Sequence, residues 1–241
     1  PDGYVRSEGG AVIILKRLSD AINDGNEIYA VIPASVCNND GASDKYMLAP
    51  SAITQQIMLE EAYSKANIDV NKVKYIEAHG TGTKAGDPAE ISSIWNALSK
   101  NRNGANSIFI GSVKTNIGHT EGVAGFAGLF KVLMAMKHKT IPPNLHFYEP
   151  NPDIDWQNMN VVIPTELVAW ETETNEPLIA GVNAFGITGT NAHVIVQSFE
   201  NKSSENIVFD KKYNILPISA NNSAAVIDYV KLYQSQINEN N

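Results

Sequence analysis

The sequence predicts an α/β fold with one mixed sheet between helices. Short apolar runs of strand length alternate along the chain with segments in which apolar residues recur at helical spacing. This alternation is typical of a sheet that helices cover on both faces. With 241 residues, 43% of them hydrophobic and 18% charged, the chain is long enough to bury a sizeable core.

The first part of the chain predicts two strands and two helices. Apolar runs at 12–15 and 28–32 flank a helix-forming stretch at 20–25. Residues 51–66 carry apolar side chains at helical spacing, which predicts a longer helix that begins near its serine.

The middle of the chain repeats the pattern of strand followed by helix. Strands are predicted at 73–77 and 108–112. Asp87 and Glu90 fit a capping box at the start of the helix between them. Residues 121–137 are apolar on nearly all sides, which predicts a deeply buried helix after the second strand.

The last part of the chain predicts a hairpin and a separate tail. Residues 178–182 and 192–196 are expected to form an antiparallel pair of strands. A polar linker is predicted at 199–210, followed by a strand at 213–219 and a helix at 223–237.

Two histidines stand in glycine- and threonine-rich loops, each directly after an apolar strand. They are His79 in Glu77-Ala-His-Gly-Thr-Gly-Thr83 and His119 in Lys114-Thr-Asn-Ile-Gly-His119. Glycine lets the backbone approach a ligand closely, and imidazole supplies hydrogen bonds or protons near neutral pH. A third loop of similar style ends in Gly189-Thr-Asn-Ala-His193. We therefore expect an active site where the first two loops meet.

Composition narrows the possible functions. The formal net charge of −8 argues against a general nucleic-acid or anionic-membrane surface. The single cysteine, Cys37, excludes an intramolecular disulfide and fits a reducing, cytoplasmic setting. The stretch 80–85 fits the glycine pattern of a dinucleotide loop, but the acidic residue expected after the next strand is absent, so we expect no nucleotide site.

The remaining histidines and the cysteine are expected to be bystanders. His193 lies in a closing strand and is interpreted as structural, and His138 and His146 are interpreted as surface residues. No pair of histidines has zinc-type spacing, so no metal site is expected. Cys37 is expected to be a small buried filler.

Together, the three loops resemble the C-terminal half of the β-ketoacyl synthases. The matching motifs are His-Gly-Thr-Gly-Thr-x-x-Gly-Asp-x-x-Glu at 79–90, Lys-Thr-Asn-Ile-Gly-His at 114–119 and Gly-Thr-Asn-Ala-His at 189–193, in the family's order. The similarity runs from residue 1 to about 200, and the segments 150–156 and 216–220 are similar to the polyketide synthase branch.

The resemblance implies a fold and a division of the chain. It implies the C-terminal half of a thiolase-like fold, with a mixed five-stranded sheet between helices. Residues 1–200 would then be the C-terminal part of a ketosynthase domain. Residues 201–241 would be a linker and the start of a following adaptor region. The chain begins without a methionine, and we expect it to be a piece of a larger polypeptide.

The resemblance also implies a reaction and its residues. Malonyl carrier protein loses carbon dioxide, and the resulting carbanion attacks an acyl thioester held on the enzyme. His79 and His119 match the family's catalytic histidines, Lys114 its catalytic lysine, and Phe185 its mobile gate. The other matching residues are Thr81 and Thr83 for the phosphopantetheine arm and Asp87, Glu90 and Asn116 in support. A second interpretation of Lys114, compatible with the first, is a core lysine that forms an ion pair with a carboxylate such as Glu121.

The family's nucleophilic cysteine has no match in this chain. In the family it lies in the N-terminal half, so we expect the chain alone to be inactive. The implied partners are that missing half, an acyl carrier protein and a second copy in a homodimer. No bound cofactor, nucleic acid or membrane is expected. Two alternatives stay open: a ketosynthase that only transfers acyl chains, and an inactive structural half-domain.

Overall fold

The computed structural model describes residues 3–41, 49–99, 107–172, 176–200 and 216–239. The chain divides into two compact units, Pro1–Lys202 and Ser203–Asn241. Within the described residues, no helix has both the length and the apolar character needed to cross a bilayer.

The first unit alternates helices with strands. Its helices are α1 (Leu18–Asn23), α2 (Ala52–Ala66), α3 (Gly86–Ser99), α4 (Lys114–Ile117) and α5 (Ala124–His138). Its strands are β1 (Ala30–Val31), β2 (Ser35–Asn39), β3 (Val73–Glu77), β4 (Ile108–Gly111), β5 (Thr140–Ile141), β6 (Val161–Val162), β7 (Val168–Ala169), β8 (Ile179–Phe185) and β9 (Thr190–Ser198). Short 3₁₀ turns at Val70–Lys72 and Glu121–Val123 precede β3 and α5.

One mixed sheet organises this unit, as the sequence predicted. Its strand order is β1-β9-β8-β3-β4-β6, and β2 also pairs with β9. The pairs β8–β3, β3–β4 and β4–β6 are parallel, whereas β8–β9, β1–β9 and β2–β9 are antiparallel. The predicted closing hairpin is thus confirmed.

The described sheet has seven strands, where five were expected. Five strands have four or more residues, and the extra two, β1 and β6, have two residues each. Strand β1 lies within the apolar run predicted at 28–32, whereas β6, with two residues, is too short to leave a periodic pattern in a sequence. Strand β2 was missed for another reason: it is polar at three of its five positions.

Helices cover both faces of the sheet. Residues 75 and 76 of β3 are adjacent and point to opposite faces, as strand geometry requires. Ile76 packs with Leu59 of α2 and Ile94 of α3 in one core cluster. Tyr75 packs with Val132 of α5 in the second cluster, which also contains the fully buried Trp170.

Helix α5 is buried on one side only, so the prediction of burial all round was wrong. Its buried residues are Ala124, Gly128, Val132, Ala135 and Met136. Phe126, Phe130 and Met134 lie on its outer side and are 36–42% exposed. Within the described residues the helix packs with this one side against β3, β8 and β9 of the large sheet and against β5, and its outer side stays exposed.

Two other apolar stretches are also more exposed than expected. The run 12–15 forms no strand and pairs with no strand of the described residues, and Ile14 is 94% exposed. Helix α2 forms where predicted, but Ile53 and Ile57 face outward while Leu59 and Ala62 fill the core.

The starts of α2 and α3 show how helix caps work in this chain. Ser51 caps α2, since its Oγ accepts from the Thr54 amide at 3.2 Å. The capping box expected at the start of α3 does not form. The helix begins at Gly86, whose amide donates to Thr83 Oγ1 at 3.2 Å, so Asp87 already lies inside the first turn.

The second unit is described from residue 216 and contains helix α6 (Ser223–Glu239), which confirms the helix predicted there. The Ala225 amide donates to Asn222 Oδ1 at 2.9 Å near the start of this helix. The strand predicted at 213–219 does not form over 216–219, and its first three residues lie outside the described residues. Most of the predicted linker, from 201 on, also lies outside them.

Candidate active site

The two loop histidines meet at one edge of the sheet. Strands β3 and β4 are parallel neighbours, with Glu77 opposite Gly111 at their carboxyl ends. His79 follows β3 by two residues, and His119 ends the segment that leaves β4 through α4. Their ring centroids are 5.4 Å apart and the planes stand nearly perpendicular, at 84°. The sequence prediction that these loops come together is confirmed.

A buried carboxylate shapes the His79 loop. Glu90 accepts from the amides of His79 (2.7 Å) and Gly80 (2.9 Å), and from Asn183 Nδ2 (2.8 Å). Burial raises the pKa of Glu90, and these donors oppose that rise. Gly82 has φ +72°, and a Cβ there would lie 2.7 Å from the Gly3 carbonyl oxygen, so only glycine fits.

Both imidazoles are held in the neutral form. Burial lowers the pKa of His79 to about 3, and the positive charges of Lys114 and His119 act in the same direction. Burial, followed by Lys114, also lowers the pKa of His119. His119 Nδ1 accepts from the Glu121 amide at 2.9 Å, so the proton of the neutral ring sits on Nε2. His79 Nδ1 is buried and has no hydrogen-bond partner among the described residues.

Lys114 lies in the same electrostatic neighbourhood. It is half-buried at the start of α4, and burial lowers its pKa. The carboxylates of Glu90, Glu77 and Asp87 oppose this shift, in that order. The reading that pairs Lys114 with Glu121 is not supported, because the Glu121 carboxylate instead binds Arg6 Nε at 2.9 Å.

The other predicted site residues surround this pair. The Phe185 ring lies 5.5 Å from that of His79, at the end of β8. Thr81 and Thr83 have their hydroxyl oxygens 3.2 Å apart. Asp87 accepts from the Gly82 amide at 3.1 Å and thus helps to hold the backbone of the His79 loop. Its pKa is raised by burial.

A cleft of about 700 Å³ opens beside the His79 loop. Polar side chains from both histidine loops line it, among them Thr81, Asp87, Lys114 and the exposed Asn116. Apolar side chains, among them Trp156, also line it. The cleft could admit an elongated ligand to the sheet edge where the histidines stand.

Two neighbours of the site were not predicted from the sequence. The Tyr4 ring lies 4.6 Å from that of His119. Glu77 is buried at the end of β3 and forms an ion pair with Lys131 of α5 at 3.0 Å. The sequence could have indicated that Glu77 lies near the site, because it is a charged residue at the end of an apolar strand. No local sequence pattern indicated the same for Tyr4.

The residues interpreted as bystanders have mixed outcomes. His193 is fully buried, with Nδ1 2.6 Å from Asn183 Oδ1 and Nε2 3.3 Å from Tyr63 Oη, as suits a structural histidine. His138 and His146 are exposed as predicted. Cys37 is exposed, so its interpretation as a buried filler was wrong; on β2, Val36 faces inward and Cys37 faces outward.

Known proteins give this arrangement a family. The model of the β-ketoacyl synthase C-terminal domain matches residues 29–148, which include both histidine loops, and the ketoacyl-synthetase C-terminal extension matches 150–241. The chain belongs to the β-ketoacyl synthase family. The ketosynthase resemblance seen in the sequence is thereby confirmed, and with it the thiolase-like α/β class.

Relatives and solved structures place the chain in a polyketide synthase ketosynthase. It is 43% identical to the highly reducing polyketide synthase curS1 of Aspergillus terreus over 204 residues, which is 85% of this chain and 8% of that protein. It is 44% identical to a phenolphthiocerol/phthiocerol polyketide synthase of Mycobacterium tuberculosis, over 81% of this chain and 10% of that protein.

Among solved structures, the ketosynthase from module 6 of the Bacillus subtilis bacillaene synthase superimposes with a TM-score of 0.81 at 35% identity. The match covers 93% of this chain and 38% of that one. The chain therefore spans about a tenth of these two polyketide synthases and over a third of this ketosynthase structure. It corresponds to the C-terminal part of the ketosynthase domain.

Proposed function

We propose that this chain supplies the decarboxylating part of a ketosynthase active site. The complete domain would condense malonyl carrier protein with an enzyme-bound acyl thioester. The observation that carries the proposal is the pair of neutral imidazoles of His79 and His119, which lie beyond the carboxyl ends of two parallel strands. Their ring centroids are 5.4 Å apart. Lys114 adds a positive charge to the same small volume.

The first chemical step needs donors for a developing enolate. The bond between the malonyl carboxylate carbon and the α-carbon breaks, and carbon dioxide leaves. The electron pair of the broken bond passes to the thioester oxygen, which forms the enolate. His119 offers Nε2–H, and His79 offers a second imidazole on the same side. One such preorganised donor is worth roughly 10²–10³ in rate. Lys114 acts electrostatically on the site and takes no proton.

The second step forms the new carbon–carbon bond. The α-carbon attacks the acyl thioester, and the tetrahedral oxyanion collapses as the thiolate leaves. We assign the amide of Phe185 to this oxyanion, on the family match and on the position of Phe185 beside His79. Its ring would act as the gate.

The substrate arrives on a carrier protein through its phosphopantetheine arm. Thr81, which lines the cleft, and Thr83 beside it are the proposed hydroxyl ligands of that arm. Asp87 and Glu90 hold the backbone of this loop, and Asn116 supports the neighbouring one from the cleft wall. The arm is a substrate carrier, and no resident cofactor takes part in the scheme.

The nucleophile would come from the N-terminal half of the same domain. Cys37 is the only cysteine in the sequence and is exposed on β2. We infer that the chain alone is inactive and that the complete domain is a cytoplasmic homodimer. We further propose that residues 1–200 belong to the ketosynthase and 201–241 to a following region; the compact unit ending at Lys202 supports this division.

Carbon dioxide release tests the proposal directly. A complete domain that contains this chain should release carbon dioxide from malonyl carrier protein and form the condensed product. His119→Ala should lower both rates about 10²-fold or more, while acyl transfer to the domain continues. Equal rates of carbon dioxide release in the wild type and the variant would refute the assignment.

The same measurements address the transfer-only reading. A ketosynthase that only passes acyl chains along would accept an acyl group and release no carbon dioxide. The presence of both histidines in one neutral pair speaks against this reading. A purely structural half-domain would do neither reaction even when complete.

A further inference from the structure

A buried carboxylate connects three parts of the site. Glu77 is 1% exposed at the end of β3. Its Oε2 accepts from Tyr75 Oη at 2.6 Å and lies 3.0 Å from Lys131 Nζ on α5. Its Oε1 accepts from the Val113 amide at 2.5 Å. Strand, helix and loop are thus joined through one side chain.

The Val113 contact is the one that reaches the site. Val113 is the N-cap residue of α4, and its side chain cannot cap the helix. Glu77 places a negative charge at this end, where backbone N–H groups lack partners within the helix. The next residue is Lys114, and five residues further along is His119. The hydrogen bond from the Val113 amide therefore helps to fix where the Lys114–His119 segment leaves the sheet.

Stability alone does not account for the buried ion pair. Replacing such a pair by apolar residues is often neutral or stabilising, because taking two charges out of water is costly. The fold has nevertheless adapted to this carboxylate. A Cβ at Gly128 of α5 would lie 2.9 Å from Glu77 Cγ, so glycine at that position lets the helix pack directly against it.

We propose that Glu77 is a positioning residue for decarboxylation, acting through its hydrogen bond from the Val113 amide on the segment that carries Lys114 and His119. Tyr75 and Lys131 hold the carboxylate in the orientation that this bond needs. The proposal rests on the proposed function, since it assigns Glu77 to the same site.

A matched pair of variants isolates this hydrogen bond. Tyr75→Phe and Lys131→Met together remove the other two partners of residue 77, one of which, Lys131, is the buried cation. In that background, Glu77→Gln retains an acceptor for the Val113 amide, whereas Glu77→Leu has a similar volume and no acceptor. Neither variant carries a charge at this site. Both are made in a complete ketosynthase domain that contains this chain.

The two variants should rank in opposite orders for stability and for activity. Gln leaves buried amide hydrogens without partners, so the Leu variant should have the higher thermal midpoint. Decarboxylation of malonyl carrier protein should nevertheless be about tenfold slower in the Leu variant, because small displacements of catalytic groups are costly. Acyl transfer to the domain should be the same in both.

Equal decarboxylation rates in the two variants, or acyl transfer that falls in parallel with decarboxylation, would overturn the proposal. If either variant is unfolded at the assay temperature, both are compared at a lower temperature at which each is folded. A wild-type domain that releases no carbon dioxide would instead refute the proposed function itself, which keeps the two failures apart.

Discussion

His79 and His193 are both histidines with a strongly lowered pKa, although His193 is fully buried and His79 only partly, and they do different work. Burial lowers the pKa of each to about 3. His193 has both ring nitrogens within hydrogen-bonding distance of partners, Asn183 and Tyr63. His79 has an unpartnered Nδ1 among the described residues and two aromatic neighbours, His119 and Phe185. The pKa therefore does not separate the two roles, but the partners do.

The difference shows what a site leaves open. A structural histidine completes its hydrogen bonds inside the protein, since unpaired buried polar atoms are costly. A histidine that meets a substrate must keep polar capacity for it. The comparison predicts that changes at His79 affect turnover, whereas changes at His193 affect folding.

The largest expected effect is on turnover by His79→Ala in a complete domain. Decarboxylation of malonyl carrier protein should fall about 10²–10³-fold, since one donor to the enolate is lost. Acyl transfer and the thermal midpoint should change little. Carbon dioxide release and calorimetry on the same preparation check this. A large loss of stability would show that His79, like His193, has a structural role.

His193→Ala should give the opposite result. It removes the His193 ring from Asn183 Oδ1 and from Tyr63 Oη and opens a void in the core, at a cost of about 3 kcal/mol in the free energy of unfolding. Decarboxylation per folded molecule should stay near the wild-type rate. Denaturant unfolding measures the cost, with the exposed His146→Ala as the control. A fully stable variant without activity would break the comparison.

The pH dependence of decarboxylation should sharpen the comparison further. A lowered pKa keeps an imidazole neutral as the pH falls, down to about 3 for His79. The rate should therefore stay nearly flat from about pH 7.5 to 5.5, where an ordinary histidine with a pKa near 6.5 would gain its proton. A rate profile recorded with a stable carrier substrate tests this. An acid limb centred near pH 6.5 would contradict it.

The smallest effect is expected for Cys37→Ser. The side chain is exposed on β2, so the free energy of unfolding should change by less than about 0.5 kcal/mol. Acyl transfer by the complete domain should be unchanged, since the nucleophile lies elsewhere. Mass spectrometry of the acylated protein would show this, and loss of the acyl adduct would make Cys37 the nucleophile.

Local patterns predicted the parts of the fold that local forces decide. Strands β3 and β4, helix α2 and the β8–β9 hairpin follow from periodicity, and the histidine loops follow from residues placed directly after strands. Long-range contacts were beyond such patterns. The acidic pair Asp87 and Glu90 has the spacing of a capping box, and only the fold shows Glu90 holding amides 10 and 11 residues earlier instead.

Burial was the least predictable property. The apolar sides of α5 and α2 suggested a deep core, but whether an apolar residue is covered depends on which surfaces meet it in three dimensions. Phe130 and Ile53 show this, since both are apolar at helical spacing and both are exposed. The seven-stranded sheet likewise depends on β9 accepting two short strands along one edge.

Asn183 connects the ring of His193 to the carboxylate that holds the His79 loop, so His193 can report on movements of that loop. Its Nδ2 donates to Glu90, so its Oδ1 faces His193 and fixes the proton of that ring on Nδ1. Glu90 in turn holds the two amides that begin the His79 loop. The ¹⁵N resonances of a single buried, non-reacting ring should thus register any shift of the loop during turnover, without a label on the reacting groups.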